Sequence, residues 1–97
     1  NNRVYGNVTD GIQASHSLVI DNHSTDNRGA GISAVSTSAI QRNVFGSNFG
    51  VGMYLFPELG GPTSPYRENV VSGNTLGTVI DGVNLGDNSC NATVTCP

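Results

Sequence analysis

Residues 43–53, Asn-Val-Phe-Gly-Ser-Asn-Phe-Gly-Val-Gly-Met, contain the pattern that decides the fold of this chain. An asparagine is followed by four residues, a second asparagine, three residues, and then a small and an apolar residue. The pattern occurs four times, at intervals of 20, 21 and 26 residues. Its asparagine pairs are Asn2 and Asn7, Asn22 and Asn27, Asn43 and Asn48, and Asn69 and Asn74. Asparagine fills only 12 of 97 positions, so its return at all eight places indicates one structural unit repeated along a solenoid.

Short stretches of alternating apolar and polar residues lie between the asparagines. Residues 12–15, Ile-Gln-Ala-Ser, alternate with a period of two, which is typical of a strand with one buried face. In residues 18–20, Leu-Val-Ile, we predict that Leu18 and Ile20 face the core and that Val19 faces outward. No window has a convincing helical stripe, so the sequence predicts an all-β chain.

The repeat also predicts how these strands pack. Each strand pairs with its counterpart one unit later, which gives parallel sheets along the solenoid axis. Inward side chains then stack in columns, such as Ile12, Ile32, Met53 and Val79. The repeated asparagines are predicted at turns between sheets, because asparagine tolerates a left-handed backbone and its carboxamide both donates and accepts hydrogen bonds. We therefore expect two asparagine ladders running from coil to coil.

Two consecutive units share a longer pattern. Its elements are Gly31-Ile32, Ile40-Gln41-Arg42-Asn43 and Asn48 in one unit, and Gly52-Met53, Tyr66-Arg67-Glu68-Asn69 and Asn74 in the next. The pattern resembles the repeat of the right-handed parallel β-helix in the pectate-lyase-like superfamily. The resemblance implies an all-β, right-handed parallel β-helix of about four coils with asparagine ladders. It is specific for the fold and says little about activity.

The repeat is interrupted once and then ends. Residues 54–66 contain three prolines and a Gly-Gly pair, which predicts a loop inserted into one coil. We assign residues 1–83 to the coils and residues 84–97 to a carboxy-terminal cap, since the end of a solenoid exposes its core. At the other end we expect upstream coils or another copy of the chain, giving a homo-oligomer, to cover the first coil.

The two cysteines, Cys90 and Cys96, lie within the predicted cap. Their spacing fits neither a zinc motif nor a thioredoxin-type pair, so we predict a disulfide. Closing this short loop contributes roughly 2.4 kcal/mol in the chain-entropy model. A disulfide also favours a secreted or cell-surface protein.

The composition excludes several classes of function. Charged residues make up 11% of the chain, lysine is absent and the formal net charge is −3, so we expect no nucleic-acid partner. No apolar run is long enough to span a bilayer, so we expect no membrane insertion. We also expect no metal site and no cofactor.

The aromatic residues of the inserted segment, Tyr54, Phe56 and Tyr66, suggest a ligand-binding surface. Aromatic rings can stack on sugar rings, and the outward residues Gln13 and Ser33 are expected on the neighbouring coils. We therefore predict that these five side chains contact a polysaccharide. The alternative is that the inserted loop folds back and covers outward apolar residues such as Ile80.

A catalytic site is not predicted. The resemblance to pectate lyases and polygalacturonases does not extend to the residue strings that carry their activity. Asp10, His23, Asp26 and Arg28 have different offsets within their units, and we expect Asp26 and Arg28 to form a surface ion pair. The leading hypothesis is a non-catalytic structural or binding module. The alternatives are the carboxy-terminal portion of a carbohydrate-active lyase, hydrolase or epimerase, and a self-assembling solenoid.

Overall fold

The computed structural model describes residues 1–35, 38–57, 63–91 and 96. Within these ranges the chain forms thirteen short strands and no helix, which confirms the all-β prediction. The strands form three parallel sheets that stack as a β-solenoid of about four coils. Sheet A contains, in order, β1 (Arg3–Tyr5), β4 (His23–Thr25), β7 (Val44–Gly46), β10 (Val70–Ser72) and β13 (Ser89–Cys90). Sheet B contains β2 (Ile12–Ser15), β5 (Ile32–Val35), β8 (Met53–Phe56) and β11 (Val79–Asp81). Sheet C contains β3 (Leu18–Ile20), β6 (Ala39–Gln41), β9 (Pro65–Arg67) and β12 (Val83–Asn84).

The core consists of side-chain columns that run along the solenoid axis. The predicted column of sheet B is confirmed, because its members pair directly in register: Ile12, Ile32, Met53 and Val79. Sheet A contributes a second column, in which Phe45 and Val71 are fully buried. Sheet C contributes a third, in which Ile40 pairs with Tyr66.

The predicted orientation of residues 18–20 is wrong. Val19 is 7% exposed and pairs with Ile40 in the core, whereas Leu18 is 64% exposed. The alternation carried over from β2 does not continue through the corner before β3. His16 at this corner has a φ of 49°, and a left-handed residue there changes which side chains face inward.

Both predicted asparagine ladders are present. In each, the backbone N–H and the carboxamide Nδ2 of one asparagine donate to Oδ1 of the asparagine in the next coil. From Asn27 to Asn48 these distances are 3.1 and 2.9 Å, and from Asn43 to Asn69 they are 2.9 and 3.2 Å. Every rung donates in the same direction, towards the carboxy-terminal coil. The ladder at the corner between sheets C and A consists of Asn2, Asn22, Asn43, Asn69 and Asn88. The ladder after sheet A consists of Asn7, Asn27, Asn48 and Asn74.

The left-handed backbone does not fall on the ladder asparagines, contrary to the expectation from the sequence. It falls on the residue before every ladder asparagine except Asn2, for example on Asp21, Asp26 and Ser47. The side chain of the asparagine itself points inward and forms hydrogen bonds with the neighbouring coil. The turn and the hydrogen bonding are thus divided between two adjacent residues.

A third ladder of serines occupies the corner between sheets B and C, which the sequence analysis did not predict. The Ser17 N–H donates to Ser38 Oγ, and the Ser38 N–H donates to Ser64 Oγ, each at 3.2 Å. Ser38 and Ser64 are fully buried. All three corners of the coil are therefore fixed by polar side chains that bind the preceding coil.

The predicted boundaries of the insertion and the cap shift in the structure. Tyr54 and Phe56 belong to β8 and Tyr66 to β9, so the insertion lies between Phe56 and Pro65 rather than over residues 54–66. Residues 58–62 lie outside the described part of the chain.

The repeat also continues past residue 83, the predicted end of the coils. Strand β12 pairs with β9, β13 pairs with β10, and Asn88 adds a fifth rung to the first ladder. The predicted disulfide between Cys90 and Cys96 is confirmed, with the two Cα atoms 5.4 Å apart. It joins the last strand of sheet A to the residue at 96, and residues 92–95 are outside the described part.

The substitution Asn48→Ala tests the ladders. It removes the acceptor of both Asn27 donors, and Asn27 is buried, so we expect a loss of about 3 kcal/mol in the free energy of unfolding. Urea unfolding followed by circular dichroism measures this loss. Asn2→Ala is the control, because Asn2 is exposed and should cost about 1 kcal/mol or less. Equal losses in the two variants would contradict a stabilising role for the buried rungs.

The substitution Cys96→Ser tests the disulfide. It opens the loop but leaves the buried Cys90 side chain in the core column, so we expect a loss of roughly 2.4 kcal/mol from loop entropy. Thermal unfolding of the variant and of the parent protein in reducing agent should give the same lowered melting temperature. An unchanged melting temperature in both would show that the bond adds no stability.

Candidate functional site

The outward face of sheet B carries a groove in two adjoining parts of about 260 and 400 Å³, which share Ser33. We refer to it as the sheet B groove. Its main lining side chains are Gln13, Ser15, Ser33, Val35, Tyr54, Phe56, Leu76, Ile80 and Asp10. It extends across all four strands of the sheet, so it is an elongated surface rather than a closed pocket.

Strand register places the groove side chains one above another. Gln13 pairs with Ser33, and Ser33 with Tyr54, in the column next to the buried one. In the following column Val35 pairs with Phe56. The alternation within each strand turns these side chains outward while their neighbours fill the core. These outward columns therefore line the sheet B groove, and the buried columns of the same strands lie beneath it.

Tyr54 and Phe56 of β8 form an aromatic pair in the larger part of the groove. Their ring centroids are 5.1 Å apart and the planes meet at 67°, an edge-to-face arrangement. Tyr54 is 42% exposed, so part of its ring is available to a ligand. The adjacent residues Met53 and Leu55 are fully buried, and this anchors the strand that carries both rings.

The structure places Gln13, Ser33, Tyr54 and Phe56 together, as the sequence analysis expected. The fifth residue, Tyr66, does not belong to this surface. It is 1% exposed and lies in the core column of sheet C, where burial raises the pKa of its phenol. The expectation that Tyr66 faces a ligand is therefore wrong.

Three further groove residues lie outside strands β2, β5 and β8. Asp10 and Leu76 lie in the turns that connect sheet A to sheet B, and Ile80 lies in β11. The Asp10 Oδ1 atom accepts a hydrogen bond of 2.7 Å from the Ala30 N–H, which fixes the carboxylate at the margin of the groove. The repeat places Asp10 at the same offset in its unit as Ala30, and this correspondence was the available sequence signal.

The ionisable residues considered as catalytic candidates are dispersed over the coils. Of these, only Asp10 lines the sheet B groove. His23 lies in β4 of sheet A, and Arg28 lies beside Phe49 at a separate surface cavity of about 340 Å³. Within the described residues, no three His, Cys, Asp or Glu side chains group together as a metal site.

The ion pair that we expected between Asp26 and Arg28 does not form. Among the described residues, the ion pairs are Asp21 with Arg42 at 2.9 Å and Arg67 with Glu68 at 3.3 Å. The first pair joins successive coils, because both residues immediately precede a ladder asparagine. The Arg42 guanidinium donates to the Asp21 carboxylate, which lowers the pKa of Asp21 and raises that of Arg42. The pair bridges the corner between sheets C and A, away from the sheet B groove.

The Asp21 pKa provides a test of this coil-to-coil pair. Because the folded-state pKa is lowered, the pair stabilises the protein above the ordinary aspartate pKa of about 4 and is lost as the pH falls through the folded value. NMR titration of the side-chain carboxyl should give a midpoint below that of unfolded peptides. Arg42→Gln should move the midpoint back up, and a midpoint that Arg42→Gln does not change would exclude Arg42 as the cause.

Comparison with models of protein families, with curated proteins and with solved structures finds no match to this chain. In the described residues, no helix is sufficiently long and apolar to cross a bilayer. The disulfide is compatible with an extracytoplasmic location.

Proposed function

We propose that this chain is a secreted, non-catalytic β-solenoid module that binds a polysaccharide along the sheet B groove. The observation that carries the proposal is the partly exposed Tyr54–Phe56 pair on an elongated polar and apolar surface.

The chemistry of the groove suits a sugar chain. A sugar ring has an apolar face of C–H groups and a rim of hydroxyl groups, so it needs both aromatic surface and hydrogen-bonding side chains. Tyr54 and Phe56 supply the first, and Gln13, Ser15 and Ser33 supply the second.

The shape of the groove favours an extended ligand. The column from Gln13 to Ile80 crosses three strand spacings, which is about 14 Å along the axis. The outward positions are rigid because the strands that carry them pair on both sides, except at the ends of the sheet. Binding of a ligand therefore costs little conformational entropy of the protein.

The small number of acidic side chains in the groove favours binding of a polysaccharide over its hydrolysis. Hydrolysis of a glycosidic bond generally uses two carboxyl groups that flank it. Among the described lining residues, Asp10 is the sole carboxylate. The alternative of an enzyme portion would need a second acidic group from elsewhere.

The experiment that tests the proposal is binding to an array of soluble polysaccharides, followed by titration calorimetry on the best ligand. We expect Tyr54→Ala and Phe56→Ala each to weaken binding by about fivefold or more, since a stacked aromatic contributes on the order of 1 kcal/mol. Phe49→Ala is the matched control, because Phe49 is an aromatic residue, 66% exposed, outside the groove.

All three substitutions remove outward side chains, so circular dichroism should show the parent fold in each variant. Binding that is weakened equally by Phe49→Ala would point to a different surface. No binding by the parent protein to any polysaccharide would refute the proposed function.

A further inference from the structure

The positively charged residues of this protein lie away from the sheet B groove. The chain has four arginines and no lysine, and none of the arginines lines the sheet B groove. Arg42 and Arg67 are held in ion pairs with acidic residues, Arg3 lies in β1 of sheet A, and Arg28 lies beside Phe49. The groove therefore lacks a described side chain that could pair with a carboxylate or sulfate group on a ligand.

Among the described lining residues of the groove, Asp10 carries the one charge, which is negative and held in place. The hydrogen bond from the Ala30 N–H to Asp10 Oδ1 holds the carboxylate at the margin, and Ala30 is itself buried. The Asp10 side chain thus cannot easily turn away from an approaching anion. Its other oxygen, Oδ2, is suited to accept a hydrogen bond from a neutral hydroxyl.

The apolar side chains that line the rest of the groove also disfavour an anionic ligand. Val35, Leu76 and Ile80 present apolar surface on either side of the aromatic pair. Covering an anionic group with apolar surface costs free energy unless a cation compensates it. Proteins that bind carboxylate or sulfate groups generally supply arginine or lysine for that purpose.

From these observations we propose that the sheet B groove selects uncharged polysaccharides and rejects those that carry carboxylate or sulfate groups. This inference rests on the proposed function and adds the charge class of the ligand. Selection comes from two sources, the missing cation and the fixed Asp10 carboxylate, and the second acts as a repulsive element against the wrong ligand.

The experiment compares ligands that differ only in charge. One pair is a soluble glucan before and after oxidation of its 6-hydroxyl groups to carboxylates. The other is a methyl-esterified galacturonan and the same chain after removal of the esters. For the pair that binds, we expect calorimetry at low ionic strength to show the neutral member bound about tenfold more tightly or better.

The outcomes separate this inference from the proposed function. Equal or tighter binding of the charged member would overturn the charge selection while leaving polysaccharide binding intact. Failure of both pairs, together with failure of the polysaccharide array, would refute the proposed function and the inference with it.

The substitution Asp10→Asn tests the part assigned to the carboxylate. The asparagine keeps an Oδ1 acceptor for the Ala30 N–H, so the fold is retained while the charge is removed. We expect the affinity for the charged ligand to rise roughly two- to fivefold. The ratio of the affinities for the neutral and the charged member of a pair then becomes smaller.

Asp26→Asn is the matched control, since it removes the same charge at an exposed position outside the groove, where asparagine also tolerates the left-handed backbone. Asp26→Asn should leave the ratio of the affinities for the neutral and the charged ligand unchanged. A ratio that moves equally in both variants would overturn the assignment to Asp10 and indicate an effect of net charge alone.

Discussion

The stacked carboxamides at the corners of the coil are the interaction on which the rest of the structure depends. The strands contain only two to four residues each, too few for their own pairing to define where one sheet ends and the next begins. Each ladder asparagine binds both the backbone and the side chain of its counterpart, so one residue fixes the position of a whole coil. The buried serines do the same at the third corner.

Fixed corners have a direct effect on the outer surface. Because the coils superpose in register, side chains that are distant in sequence, such as Gln13 and Tyr54, become members of one column. The groove is thus a product of the repeat, although its aromatic residues occur in a single coil. The ion pair between Asp21 and Arg42 lies at another corner, so the charges that link coils do not lie in the groove.

The sequence was sufficient to predict features that depend on spacing alone, namely the sheets, the asparagine ladders and the outward position of Tyr54. It failed where a backbone conformation intervenes. Val19 faces inward because the corner at His16 changes the alternation, and alternation within a strand gives no sign of this. Tyr66 was misplaced because it was assigned to the insertion, although the repeat aligns residues 66–69 with residues 40–43; its pairing with Ile40 puts it in the core. The serine ladder could not be predicted, because serine is also common in this sequence outside the corners.

The uniform direction of the ladders has a consequence for how such a stack can terminate. All the carboxamide dipoles are aligned head to tail, so they reinforce one another along the axis and leave unsatisfied donors after the final rung. An acceptor is required at that end, and the chain supplies its own: Asn88 Nδ2 donates to Asn84 Oδ1 at 2.8 Å. The last described carboxamide donor of this ladder is thereby satisfied by a side chain four residues earlier in the same chain.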